Sequence, residues 1–90
     1  MSVPSVRRFS LKFFRVIWEP QHAAVELAPR VNRQLSPAVT RNRIKRLLRE
    51  FFRAHPDFFC RGRWVFIAKP AAARASNAEM RADLERILDK

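Results

Sequence analysis

The chain has 90 residues, 48% of them hydrophobic and 11% aromatic, with one Gly and a net charge of +11 from 19 basic and 8 acidic side chains. That length suits one small domain with a single core, and the composition excludes collagen-like and Gly/Ser-rich disordered chains. The longest uninterrupted apolar run, residues 64–68, is far short of a membrane span, and a lone cysteine, Cys60, cannot form an internal disulfide, which fits a reducing cytoplasm.

In chain order, the first predicted element is a helix over residues 8–18, stopped by Pro20, with Leu11, Phe14, Ile17 and Trp18 on one face and Phe9, Phe13 and Val16 on another. A strand follows over residues 25–32, where Val25, Leu27 and Val31 alternate with polar positions. Pro29 falls on the apolar phase and cannot donate to a ladder, so the strand is restricted to an edge or a bend. Ile44, Leu47, Leu48, Phe51 and Phe52 then repeat at helical spacing, with Ser36-Pro37 as the start and an end before Pro56. Residues 63–69 read as a strand buried on both faces, and residues 70–75 as a loop. The last helix opens on Ser76 and Glu79 at capping-box spacing and buries Met80, Leu84, Ile87 and Leu88. The expected order is helix, strand, helix, strand, helix.

Charge is concentrated in the middle of the chain. Residues 30–53 hold eight of the 19 basic side chains against one acid, Glu50. The basic set of the whole chain is 15 Arg to 4 Lys, and Arg is the side chain that grips phosphate with two parallel hydrogen bonds. At 100 degrees per residue, Arg43, Lys45, Arg46, Arg49 and Arg53 lie opposite Ile44 and Leu48, with Arg41 at the border. One side of this helix serves a core and the other can track phosphates over roughly 18 Å. Glu50, four residues after Arg46, is placed to hold its guanidinium. The bland reading of the same pattern is a solvated basic face.

Little else carries chemistry. His22, His55 and Cys60 lack zinc spacing, no Ser/His/Asp arrangement assembles, and the basic surroundings keep Glu50 and Asp57 ionised, so neither a catalytic residue nor a metal site is expected in the protein itself. Trp64 and Phe66 could stack on bases, but aromatics in an apolar run belong more often to a core. A DNA-binding regulator and a basic amphipathic helix for an anionic membrane or a partner remain as other classes; the first requires a helix shortly before the reading helix, where a strand is predicted.

Residues 38–53 read A-V-T-R-N-R-I-K-R-L-L-R-E-F-F-R. The run R-N-R-x-K-R-x-x-R-E resembles the RNR motif of the bacterial ribonuclease P protein subunit. W-V-F-I-A-K-P is similar to that family's last strand and its exit, and Phe14-Arg-Val-Ile-Trp18 to its first helix. The resemblance implies one domain over residues 1–90, of class α+β: a small two-layer α/β sandwich with a left-handed crossover carrying the motif. It implies a protein that binds a catalytic RNA subunit and the 5′ leader of precursor tRNA, with cleavage performed by the RNA and Mg2+ held mainly by that RNA. Neither a membrane nor an obligate protein partner enters this picture, and the compartment is the cytoplasm. Arg41, Asn42, Arg43, Lys45, Arg46 and Arg49 would contact the RNA, flanked by Arg33 and Arg53, while Phe14 and Trp18 would contact the leader. Only residues 21–40 separate the expected first helix from the motif, too few for the family's strand hairpin, so one N-terminal strand is expected to be missing.

Overall fold

The computed structural model describes residues 6–34 and 37–89. Its elements are β1 (Arg7–Ser10), β2 (Phe14–Glu19), β3 (Glu26–Arg30), α1 (Ala38–Ala54), β4 (Arg63–Ala68), a 3-10 turn (Pro70–Arg74) and α2 (Asn77–Glu85), which runs into a last 3-10 turn (Arg86–Asp89). The strands form one four-stranded sheet in the order β1-β2-β4-β3. β1 and β4 both pair antiparallel with β2, and β3 lies parallel to β4 with α1 as the crossover between them.

The expected first helix is instead a β-hairpin, which with β3 and β4 makes a sheet of four strands. In β2, Phe14, Val16 and Trp18 turn to one sheet face and Arg15, Ile17 and Glu19 to the other, a period of two rich in β-branched and aromatic residues. Leu11 N–H donates to Phe14 C=O at 2.8 Å across the turn joining β1 to β2. Two apolar faces on a supposed helix were two strands and a turn pooled in one window. Asp83 of α2 holds this turn from across the molecule: its carboxylate, 5% exposed, accepts from the backbone N–H of Lys12 (3.0 Å) and of Phe13 (2.8 Å).

β3 does sit at a sheet edge, where Pro29 costs the ladder nothing. Val25, expected in its buried phase, precedes the strand and is exposed, while Leu27 packs on the core. β4 is central but buried on one face only: Trp64 and Phe66 lie under the helices, whereas Val65 and Ile67 on the other face are half-buried, because no described element covers that side. The one glycine, Gly62, enters β4 at φ 81°, and a Cβ there would lie 2.7 Å from Glu19 C=O and 2.7 Å from Trp18 Nε1. Only glycine fits this turn.

The core is the helix-side face of the sheet closed by α1 and α2. Phe14, Val16, Ile44, Leu48, Phe66, Met80, Leu84 and Ile87 are its largest fully buried side chains. α2 begins on the expected capping box: Ser76 Oγ accepts from Glu79 N–H at 3.1 Å and Glu79 Oε1 accepts from Ser76 N–H at 2.9 Å. α1 begins on Pro37 as cap, with no side-chain capping bond; Ser36 of the expected Ser36-Pro37 start lies outside the described residues.

Candidate nucleic-acid interface

α1 buries Ile44, Leu47, Leu48 and Phe51, which turns Asn42, Arg46, Arg49 and Arg53 to solvent as an exposed crest. Arg41 and Lys45 are half-buried along the flank nearer β3. The first turn of the helix contains no acidic residue, so nothing there neutralises the positive end of its dipole. The side chains of Lys45, Arg46, Arg49 and Arg53 form no hydrogen bond or ion pair with any other described residue. A fixed row of cations without internal partners, on a helix anchored by its apolar side, suits a polyanion with regularly spaced charges.

Arg43 behaves differently from its neighbours. Its guanidinium turns toward α2, where Nη1 and Nη2 each donate to Ala75 C=O at 3.3 Å and Nη1 donates to Asn77 Oδ1 at 3.0 Å. The predicted RNA contact is thus engaged inside the fold, bracing the entrance of α2 against α1. Glu50 is likewise not the partner of Arg46: it pairs with Arg81 of α2 at 3.5 Å, both side chains more than half exposed. Between the two helices lies a groove of about 580 Å³ that includes Asn42, Arg46, Asn77 and Arg81. On the other flank, Leu27, Pro29, Phe52, Arg49 and Arg53 enclose a second depression of about 330 Å³.

The two predicted leader contacts do not form a surface. Phe14 has no exposed area, since strand alternation points it into the core, and it can offer nothing to a ligand. Trp18 is half-buried and stacks on Trp64 with centroids 5.4 Å apart; both indole N–H groups donate to Arg61 C=O, at 2.8 and 3.1 Å. The pair fastens the turn before β4. Trp64 is a core residue, 4% exposed. Arg33 is exposed in the segment between β3 and α1.

Sequence reasoning missed the uncovered face of the sheet. There Arg8, Arg15 and Arg30 are exposed around the half-buried Ile17, Val65 and Ile67, an apolar strip flanked by cations, with Glu19, Arg63 and Glu26 in register across its far end. Alternation within residues 14–19 was the available signal. Among the described residues no group of three His, Cys, Asp or Glu side chains could hold a metal ion, and no helix is long and apolar enough to cross a membrane. His22 pairs with Glu26 at 2.6 Å, and Cys60 is free and exposed. β3 rather than a helix precedes α1, which is not the arrangement of a helix-turn-helix reader.

Comparison with known proteins agrees with this geometry. The family model described as Ribonuclease P matches residues 3–90. The ribonuclease P protein component of Geotalea uraniireducens is 27% identical over 85 residues, covering 93% of this chain and 75% of that protein. Its counterpart in Xanthomonas campestris is 34% identical over 85 residues, and there the chain spans only 57% of the relative's length. The solved RNase P protein of Staphylococcus aureus superposes with a TM-score of 0.80 at 26% identity, over 93% of this chain and 79% of that one. That of Thermotoga maritima shares the fold, at a TM-score of 0.79 and 23% identity.

Proposed function

The chain belongs to the ribonuclease P protein family, and we propose that it serves as the protein subunit of a cytoplasmic ribonucleoprotein that removes the 5′ leader from precursor tRNA. The observation that carries this reading is the set of four α1 cations, Lys45, Arg46, Arg49 and Arg53, that have no partner among the described residues and stand on the solvent side of a helix whose other side is core. In this role α1 binds the catalytic RNA through its phosphates. The cation-flanked apolar strip of the open sheet face, Ile17, Val65 and Ile67 among Arg8, Arg15 and Arg30, receives the single-stranded leader, whose unstacked bases suit apolar contact and whose phosphates suit the arginines.

The chemistry belongs to the RNA. This reading assigns the Mg2+ of phosphodiester hydrolysis to the RNA partner. The protein contributes positive charge that lets two polyanions approach at lower magnesium. Reconstitution tests it: with a bacterial catalytic RNA and a precursor tRNA at low magnesium, adding the chain restores 5′ cleavage. Unchanged processing would refute the proposal.

A further inference from the structure

The groove between α1 and α2 has a lining that phosphate binding explains only in part. Its walls carry two carboxamides, Asn42 and Asn77, its base is the apolar Leu47, and at its lip stands Val39, 79% exposed and one of the few large hydrophobic side chains so placed. Arg43, Arg46, Arg81 and Glu50 complete it. The three arginines can meet a phosphate but leave the carboxamides and the apolar pair without a role, and a site for a metal ion would need more carboxylate than Glu50, which is already paired with Arg81. The Asn42 carboxamide presents donor and acceptor together, the pattern that matches the edge of a nucleobase, Asn77 adds its amide N–H donors while its Oδ1 is held by Arg43, and an aliphatic floor suits the base's face. At about 580 Å³ the groove is in the size range of sites that enclose a small ligand.

We infer that this groove takes one extrahelical nucleotide of a folded RNA, with the base over Val39 and Leu47 between the amides of Asn42 and Asn77 and the adjoining phosphate on Arg46. Charge favours RNA as the occupant over an acidic protein segment, because the same helix presents its unpartnered cation row directly beside the groove. Arg43 gives the site its rigidity, since its bonds to Ala75 and Asn77 hold the far wall in place before any ligand arrives. Sequence-specific RNA recognition commonly works on bases splayed out of a helix, where their edges are accessible. This inference rests on the RNA-binding reading above and adds to it a preference for unpaired nucleotides.

The probes are two short RNA hairpins, identical except that one carries a single bulged 2-aminopurine nucleotide, titrated with the full chain. Wild type binds the bulged hairpin about tenfold more tightly, the gain expected from one well-held base, and the 2-aminopurine fluorescence rises as the base leaves the stack. Val39→Lys, at a position too exposed to disturb folding, binds the fully paired hairpin at least as tightly because it adds a cation, yet loses the preference for the bulge. Equal affinity of wild type for the two hairpins, or an undiminished preference in Val39→Lys, overturns the groove site and leaves the RNA-binding reading standing. Failure of wild type to bind either hairpin overturns both.

Discussion

Arg43→Met and Arg46→Met remove the same unit charge three residues apart on α1, and the structure assigns them opposite effects. Arg43 donates to Ala75 C=O and Asn77 Oδ1. Hydrogen bonds from a charged donor contribute about 1.5–3 kcal/mol each when well shielded, and these are partly exposed, so the combined loss is set at about 1–2 kcal/mol. For a domain of this size that lowers Tm by roughly 5–10 °C. Because this guanidinium is engaged inside the fold, the slope of log Kd against log salt for the catalytic RNA stays as in wild type. Arg46 has no side-chain partner among the described residues, so Arg46→Met leaves Tm unchanged and flattens that slope by about 0.7–0.9, the contribution of one released counterion. Thermal melting combined with binding titrations across roughly 50–200 mM salt separates the two variants. An Arg43→Met protein that melts like wild type and loses as much slope as Arg46→Met would refute the bracing role.

What the sequence made legible was whatever depends on neighbours within one turn of helix. The apolar repeat from Ile44 to Phe52 and the Ser76/Glu79 box place α1 and α2 correctly because their periodicity and capping are local. The hairpin was hidden because Leu11, Phe13, Phe14 and Val16 are all buried at once, some by the sheet face and some by the turn, so no single period stands out. Asp83 gives no local sign that it serves a turn 70 residues earlier in the chain. For the interface, the cation row was readable from the wheel, but its division was not. Whether Arg43 reaches solvent or Ala75, and whether Glu50 faces Arg46 or Arg81, depends on where α2 docks, and both contacts span about thirty residues of chain. The open sheet face could be read only after β2 was recognised as a strand, since a helical wheel scatters Arg15 and Ile17 onto different sides.

Two further predictions concern how α2 holds the fold. Glu79 is held below the ordinary carboxylate range by the backbone N–H and side chain of Ser76, so its contribution is present above the unfolded value and disappears as pH falls through the lowered folded one. Glu79→Gln is therefore less stable than wild type in urea at neutral pH and equal to it once both carry a neutral group in acid; an identical gap at both pH values would refute this. Asp83 is the stronger determinant, because its buried carboxylate satisfies two backbone donors at the β1–β2 turn and also meets Arg86 Nη1 at 3.3 Å. Asp83→Ala leaves those two N–H groups without acceptors at about 1–3 kcal/mol each, a large part of the 5–15 kcal/mol that holds a small domain. Asp83→Asn keeps one acceptor oxygen and falls between. Because the turn carries β2, and with it Arg15 and Ile17 of the open sheet face, binding of a single-stranded leader weakens in step with the loss of the turn, whereas α1 keeps its affinity for the catalytic RNA. Hydrogen exchange at the Lys12 and Phe13 amides reports the turn directly. Protection of both amides in an Asp83→Ala protein with wild-type Tm would show that the clamp contributes nothing to the fold.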